Sequence, residues 1–193
     1  MKHPIITLLE KNPVIATLKD MEAVRHPALG GVLAVFIMGG DILSMGGMVE
    51  ELHAKGKKAF IHIDRVDGLA RDAAGVKYAA GQWKPDGIIT TQTSLVRTAQ
   101  EQGLCTIQRL FMLDSASLAS GLQLITQSKP DLIELLPGIV PKAITFFKQK
   151  SDRPIISGGM VTEKQEILAA LSAGALAVST SNTKLWTESI INN

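Results

Sequence analysis

Polar side chains recur near the ends of short apolar stretches, where they could bind a small polar ligand. If "KAFIHID" is a β-strand, its alternation places His62 and Asp64 on one face and the isoleucines on the other. In "TIQRLF", Gln108 and Arg109 must point to opposite faces, and the pattern does not decide which of them is inward. The same alternation predicts further inward polar residues in four other stretches: Thr17, Lys19, Glu134, Ser157, Ser179 and Ser181.

The charged members of this set need partners. An unpaired buried charge costs several kcal/mol, so Lys19, Asp64 and Glu134 must either compensate one another or contact a polar ligand. For His62 the sequence favours a hydrogen-bonded core residue over a catalytic one, because it shows no partner for proton transfer. The residue types therefore indicate either a polar ligand site or a structural ion-pair network.

Two motifs near the C-terminus suit an anion. In "PIISGGMV", Gly158 and Gly159 lack a Cβ and would let the backbone approach a ligand closely. In "ALAVSTSN", the hydroxyls of Ser179, Thr180 and Ser181 add hydrogen-bond donors. The alternative for both motifs is a pair of tight turns with helix N-caps, such as a capping box between Thr162 and Gln165. Ser181 or Asn182 could cap a short helix that runs into "KLWTESI".

The elements that would position these residues alternate strictly between strand and helix. Such alternation is typical of parallel strands with right-handed crossovers, and eight units close a (β/α)₈ barrel. We therefore predict a minimal TIM-type barrel with short loops, with an open doubly wound sheet as the alternative. The eight candidate strands are "VIATLK", "AVFIMG", "KAFIHID", "GIITT", "TIQRLF", "LIELLP", "PIISGG" and "ALAVST".

In such a barrel, the loops after the seventh and eighth strands often bind phosphate. The two anion-suited motifs fall at those strand ends, so the sequence predicts a phosphate site there. No zinc spacing, phosphate-binding P-loop, dinucleotide fingerprint or nucleophile elbow is found, and we predict neither a metal nor a cofactor nor a catalytic set.

Length and composition limit the remaining possibilities. The chain has 193 residues, 46% of them hydrophobic, which predicts a single domain over residues 1–193. Its 20 basic and 18 acidic residues neither require nor exclude an anionic partner. The single Cys105 fits a reducing compartment. We found no signal peptide and no stretch of the roughly 20 apolar residues that a membrane span needs, so we expect a cytoplasmic protein without membrane contact.

The strand-end motifs resemble those of the glycerol uptake operon antiterminator family. The resemblance implies a protein that binds glycerol 3-phosphate and leader mRNA and promotes transcription through a terminator. It assigns Ser157, Gly158, Gly159, Ser179, Thr180 and Ser181 to the phosphate site. It assigns the polar strand ends His62, Asp64, Arg109 and Glu134 to the ligand, and Lys19 matches a basic position in the first strand. The motifs that carry it are "IHIDRVDGL", "DGIITTQTS", "TIQRLFMLDS", "IELLPGIVP", "PIISGGMV" and "ALAVSTSNTKLW".

Basic residues concentrate in the predicted helix-to-strand connections, opposite the predicted ligand end. This predicts a basic face that could bind RNA, although lysines are favoured at helix C-termini in any case. A second candidate surface for RNA lies at the ligand end, near Lys142, Lys164 and Lys184. The residues of the first face are Lys55, Lys57, Lys58, Lys148, Lys150 and Arg153, with Lys84 and Lys129 nearby.

Two other functions stay open at this point. One is an enzyme of a small phosphorylated metabolite, of the aldolase, isomerase or phosphodiesterase class, because the same fold carries all of these. The other is a barrel that binds phosphorylated metabolites without RNA. The sequence also allows a homo-oligomer.

Overall fold

Eight parallel β-strands form a closed barrel in a computed structural model that describes residues 4–187. Each strand pairs with the next in chain order, and the eighth closes against the first. The predicted (β/α)₈ barrel is therefore confirmed, and the open doubly wound sheet is excluded. The strands are β1 Val14–Leu18, β2 Ala34–Ile37, β3 Lys58–His62, β4 Gly87–Thr90, β5 Cys105–Phe111, β6 Leu132–Leu136, β7 Ile155–Gly158 and β8 Ala177–Thr180.

Helices surround the barrel and connect its strands. The first unit has one helical turn, α2 (Met21–Val24), followed by a 3₁₀ turn over Pro27–Gly31. The carboxylate of Asp20 begins α2 by accepting the N–H of Ala23 at 2.9 Å. The helices are α1 Pro4–Lys11, α2 Met21–Val24, α3 Met45–Ala54, α4 Ala73–Gln82, α5 Thr93–Glu101, α6 Ser115–Ser128, α7 Pro141–Lys150 and α8 Lys164–Ser172.

Alternation along the strands separates two apolar layers. Inward side chains, among them Ile15, Phe36, Phe60 and Ile156, fill the barrel, while the intervening strand residues pack outward against the helices. Phe36 and Phe60 meet edge to face, with ring centroids 5.7 Å apart. Because apolar side chains fill the rest of the barrel, inward polar groups are confined to the carboxyl ends of the strands.

Helix α1 precedes the first strand and is not predicted by the strand–helix alternation. Its Ile5 and Leu9 are buried in the same cluster as the barrel interior. Ile5 and Leu8 of the helix line a cavity together with Phe60 and Gly103, which places the helix at the end of the barrel opposite the carboxyl ends of the strands. With eight residues it has too few turns for a helical period to stand out in the sequence.

Two details at the C-terminal units differ from the sequence prediction. Helix α8 begins through Glu166, whose Oε2 accepts the N–H groups of Thr162 and Glu163, so a capping box between Thr162 and Gln165 is wrong by one residue. After β8, a 3₁₀ turn over Thr183–Trp186 stands where a short helix was expected. The remainder of that expected helix lies outside the described residues.

Candidate ligand site at the strand ends

A buried ion pair spans β5 and β6 at the carboxyl end of the barrel. Arg109 and Glu134 are register partners on the two strands. Nε and Nη2 of Arg109 each lie 2.7 Å from Oε2 of Glu134. Glu134 is fully buried and Arg109 is 8% exposed. The guanidinium thus compensates a carboxylate that could not otherwise stay charged inside the protein.

Ser179 completes this pair into a three-residue network. Its Oγ donates to Oε1 of Glu134 at 2.8 Å, so both carboxylate oxygens have a donor. Gly158 makes room for the contact, because a Cβ there would lie 2.7 Å from Oε1 of Glu134 and closer still to Oγ of Ser179. The network therefore depends on a strand residue without a side chain.

The structure decides the orientation that the sequence left open. Arg109 points into the barrel, whereas Gln108 points outward and is fully buried against α6, where it contacts the hydroxyl of Ser128. Ile107, buried in the barrel interior, sets this alternation.

Two of the predicted hydroxyls point away from the barrel interior. Oγ of Ser157 donates to the carbonyl of Gly138 at 3.0 Å, and Oγ1 of Thr180 donates to that of Val161 at 2.8 Å. The inward orientation predicted for Ser157 is wrong because Ile156 occupies the interior, which fixes the opposite face for its neighbour. The hydroxyls of Ser157 and Thr180 hold the neighbouring loops in place.

His62 and Asp64 lie in different elements at the end of β3. His62, 4% exposed, is the last strand residue, and its Nδ1 has no hydrogen-bond partner among the described residues. Asp64 lies in a following 3₁₀ turn, and its Oδ2 is 4.0 Å from that nitrogen. Its carboxylate accepts hydrogen bonds from Thr90 and Thr91 at 2.7–2.8 Å. Asp64 thus fastens the loop after β4.

The environment shifts the pKa of both groups. Burial, reinforced by the positive charge of Arg109, lowers the pKa of His62 to about 4 despite the nearby Asp64. Burial opposes ionisation of Asp64, but the hydrogen bonds from Thr91 and Thr90 outweigh it and bring the pKa of that carboxyl below its ordinary value. At neutral pH the pair is a neutral imidazole beside a carboxylate.

The depressed pKa of His62 predicts a loss of stability in mild acid. Between the unfolded value of about 6.5 and the folded value of about 4, the unfolded chain binds the proton first, so the free energy of unfolding falls as pH falls. We expect this contribution to reach about 3 kcal/mol, measured by urea unfolding between pH 7 and pH 4. The variant His62→Asn should lose most of the slope in this window, whereas His26→Asn, at an exposed histidine, should keep it. An unchanged slope in His62→Asn would refute the assignment.

The network lines one wall of a cavity of about 190 Å³. The loops after β7 and β8 form the other part of the lining, so the cavity lies where these loops meet the ends of β5 and β6. Among the predicted ligand residues it gathers Arg109, Glu134, Gly159, Ser179, Thr180 and Ser181. Its other lining residues are Thr17, Met38, Leu136, Met160, Val161 and Thr162.

The loop after β7 turns its backbone toward this cavity. Gly159 and Met160 have φ angles of 80° and 64°, a left-handed conformation that a residue with a side chain rarely adopts. Within residues 4–187, the N–H groups of Gly159 and Ser181 donate to no protein acceptor. Backbone donors of this kind are the usual partners of a phosphate in this architecture.

Lys19 lies in a second cavity that adjoins the first. This cavity has a volume of about 420 Å³ and shares Thr17, Met38 and Ser181 with the first one. Lys19 is exposed, and Arg65 is the other cation of the lining. Lys19 does not line the first cavity, which contains the buried network.

Met38, which lines both cavities, and Arg65, which lines the second, were not suggested by the sequence. Met38 continues the inward alternation of Ala34 and Phe36, so the period of two could have found it, but its apolar side chain gave no chemical reason to include it. Arg65 follows the end of a strand, and only the three-dimensional structure brings it beside Lys19.

Part of the predicted basic face at the opposite end is engaged within the protein. Lys148 and Lys150 are exposed, and Arg153 is half-buried. Burial also lowers the pKa of Lys57. The nearest acceptors of the other lysines are Val24 O at 2.7 Å from Lys55, Val32 O at 2.6 Å from Lys57, and Asp86 Oδ1 at 2.7 Å from Lys58.

Fold and site together define the class of the protein: a small TIM-type barrel with a polar cavity where this architecture holds its ligands. Residues 14–186 match the family described as glycerol-3-phosphate responsive antiterminator. The chain belongs to this family. None of the helices between residues 4 and 187 is long and apolar enough to cross a bilayer.

Relatives and solved structures cover nearly the whole chain. The uncharacterised protein YgcP of Escherichia coli (strain K12) is 34% identical over 184 residues, which is 95% of this chain and 96% of YgcP. The glycerol uptake operon antiterminator regulatory protein from Listeria monocytogenes (strain 4b F2365) is 29% identical, with a TM-score of 0.88 over 98% of this chain and 100% of that one. An antiterminator-related protein from Thermotoga maritima is 30% identical, with a TM-score of 0.81 over 91% and 98%. Aldolases at 11–12% identity share the fold alone.

Proposed function

We propose that the protein is a cytoplasmic regulator that binds glycerol 3-phosphate and then binds the leader mRNA of glycerol-catabolism transcripts, allowing transcription past a terminator. The observation that carries the metabolite part is the single cavity in which the Arg109–Glu134–Ser179 network faces the free N–H groups of the loops after β7 and β8. Membership of the antiterminator family supports the RNA part.

The two walls of the cavity suit the two ends of glycerol 3-phosphate. The phosphate fits the wall of backbone donors, where Gly159 offers an N–H and Ser181 an N–H and a hydroxyl. The carboxylate of Glu134 can accept a hydrogen bond from a glycerol hydroxyl, and the guanidinium of Arg109 can donate one. A cavity of about 190 Å³ is below the range typical of drug-sized ligands, which favours a small metabolite.

The site supports sensing better than turnover. A Schiff-base aldolase needs a desolvated lysine, whereas the strand-end Lys19 is exposed. The carboxylates of Glu134 and Asp64 are each occupied by several donors within the protein, which suits fixed structural roles rather than proton transfer. We therefore propose that glycerol 3-phosphate is bound and released unchanged.

A gel-shift assay with a glycerol-operon leader transcript, with and without glycerol 3-phosphate, tests the proposal. Calorimetry on the same protein should detect glycerol 3-phosphate binding, and much weaker binding of glycerol or inorganic phosphate, because each occupies only one wall. We expect the transcript to be retarded more strongly when glycerol 3-phosphate is present. RNA binding that is absent under both conditions would refute the regulatory function, whereas consumption of glycerol 3-phosphate would point to an enzyme.

A further inference from the structure

The second cavity is lined by two cations, Lys19 and Arg65, and by one carboxylate, that of Asp20, which caps α2 by accepting the N–H of Ala23. Among residues 4–187, neither Lys19 nor Arg65 forms an ion pair, and both are exposed in the lining of this cavity. Hydroxyls of Ser181 and Thr183 lie in the same lining. At the opposite end of the barrel, Lys58 is paired with Asp86, whereas Lys148 and Lys150 are exposed. What distinguishes Lys19 and Arg65 is that they lie beside the metabolite cavity.

Met38 links these cations to the metabolite cavity. Its sulfur accepts a hydrogen bond from Nη2 of Arg109 at 3.4 Å, and its carbonyl oxygen accepts one from Nε of Arg65 at 3.0 Å. A single residue thus contacts the buried arginine of one cavity and the exposed arginine of the other. The bond through Nε leaves both terminal nitrogens of Arg65 available for another anion.

We propose that Lys19 and Arg65 bind a phosphate of the RNA backbone, and that Met38 couples this contact to the metabolite bound in the first cavity. This inference rests on the proposed function. It adds the place where the RNA contacts the protein and the way in which the metabolite controls RNA binding. A guanidinium with two available terminal nitrogens and an ammonium in the lining of the same cavity can together bind the two non-bridging oxygens of a phosphodiester.

The surroundings favour a polynucleotide over a second small anion. Large apolar side chains lie exposed at the same end of the barrel, on the loops and at the end of β5, and a free phosphate would leave them in water. A base of a bound RNA could stack on the ring of Phe111, and the aliphatic side chains add apolar surface for other parts of the RNA. These side chains are Leu43, Phe111, Leu113, Ile139 and Met160, exposed by 92%, 50%, 84%, 39% and 69%.

The coupling follows from the shared walls. A metabolite that draws the guanidinium of Arg109 toward itself alters the contact with the sulfur of Met38, and thereby the position of the carbonyl that holds Arg65. Ser181 lines both cavities, so its contact with a metabolite phosphate also reshapes the second one. Occupation of the first cavity therefore increases RNA affinity, by the 5- to 150-fold range of about 1–3 kcal/mol that is typical of allosteric coupling.

The test compares two double variants of the full-length protein that each remove two positive charges. In Lys19→Gln/Arg65→Gln, RNA affinity should fall about 10- to 30-fold at 0.1 M salt, and the slope of log affinity against log salt should decrease by about 0.7–0.9, the contribution of one phosphate contact. Lys148→Gln/Lys150→Gln, at the opposite end, should leave both quantities unchanged. Glycerol 3-phosphate affinity, measured by calorimetry, should stay within about twofold in both variants.

The variant Met38→Leu tests the coupling. It keeps the side-chain volume but removes the sulfur acceptor, so the increase in RNA affinity on adding glycerol 3-phosphate should shrink by about 2- to 30-fold. Each ligand alone should still bind.

Three results would overturn the inference. Loss of glycerol 3-phosphate binding with unchanged RNA binding in Lys19→Gln/Arg65→Gln would assign the second cavity to the metabolite. A reduced salt slope in Lys148→Gln/Lys150→Gln alone would assign the RNA to the opposite face. Wild-type protein that binds no RNA would refute the proposed function as well, whereas the first two results leave it standing.

Discussion

Replacing Glu134 with Leu is expected to lower the free energy of unfolding by about 3–5 kcal/mol, because it leaves the guanidinium of Arg109 buried without a counter-ion. The expected loss is large because Glu134 is fully buried and holds two nitrogens of Arg109 on one oxygen. Urea unfolding followed by circular dichroism at pH 7 measures it. Leu is close to Glu in volume, so the charge change dominates over any cavity.

Two control variants distinguish the loss of a buried ion pair from the loss of an exposed one. Glu101→Leu breaks the exposed pair with Arg97, which should cost no more than about 0.5 kcal/mol. The double variant Arg109→Leu/Glu134→Leu should recover most of the stability that Glu134→Leu loses, since it removes both charges. The assignment would be contradicted if the double variant were less stable than Glu134→Leu.

The barrel can be predicted from the sequence because short apolar runs, one for each strand, alternate regularly with helical segments. Inward orientation at the strand ends is harder to predict, as the two serines of β7 and β8 show. Ser179 points inward to Glu134 and Ser157 outward to Gly138, although both end similar strands. The difference lies in where each strand begins relative to the barrel interior, a register that is set by pairing with neighbouring strands rather than by local sequence.

Contacts between distant parts of the chain were equally beyond the sequence. Residue type alone gave no reason to join Arg109, Met38 and Arg65, which lie on three different units of the barrel. Likewise, the lysines at the opposite end looked like a free basic face, yet Lys55 and Lys57 donate to carbonyl oxygens of the preceding unit. Periodicity predicts which face a residue occupies, whereas its partner depends on the closed barrel.

The hydrogen bonds that hold Glu134 have a consequence for ligand binding. Both of its oxygens have donors in the described structure, so its position is set before any metabolite arrives. A preorganised acceptor avoids part of the entropic cost of ordering side chains upon binding. The same network that stabilises the fold would therefore raise affinity for a polyol, and a change that displaces Glu134 should affect both properties.

Gly158→Ala is the sharpest test of that link. The added methyl group would lie 2.7 Å from Oε1 of Glu134 and even closer to Oγ of Ser179, so one of these groups must move. Overpacking of this kind typically costs about 1–3 kcal/mol in the free energy of unfolding. If the displacement of Glu134 costs about 1.4 kcal/mol of binding free energy, the affinity for glycerol 3-phosphate should fall about tenfold. Chemical denaturation and calorimetry on the same variant measure the two effects.

Gly30→Ala provides the matched control, because a Cβ at Gly30 meets no atom within 4 Å. It should change neither stability nor glycerol 3-phosphate affinity appreciably. The double variant Gly158→Ala/Ser179→Ala removes the hydroxyl that suffers the closer contact, and should regain part of the stability. It should not regain affinity, since Glu134 still faces the added methyl group and has lost the donor to its Oε1. Full affinity in Gly158→Ala would mean that the metabolite does not use this network.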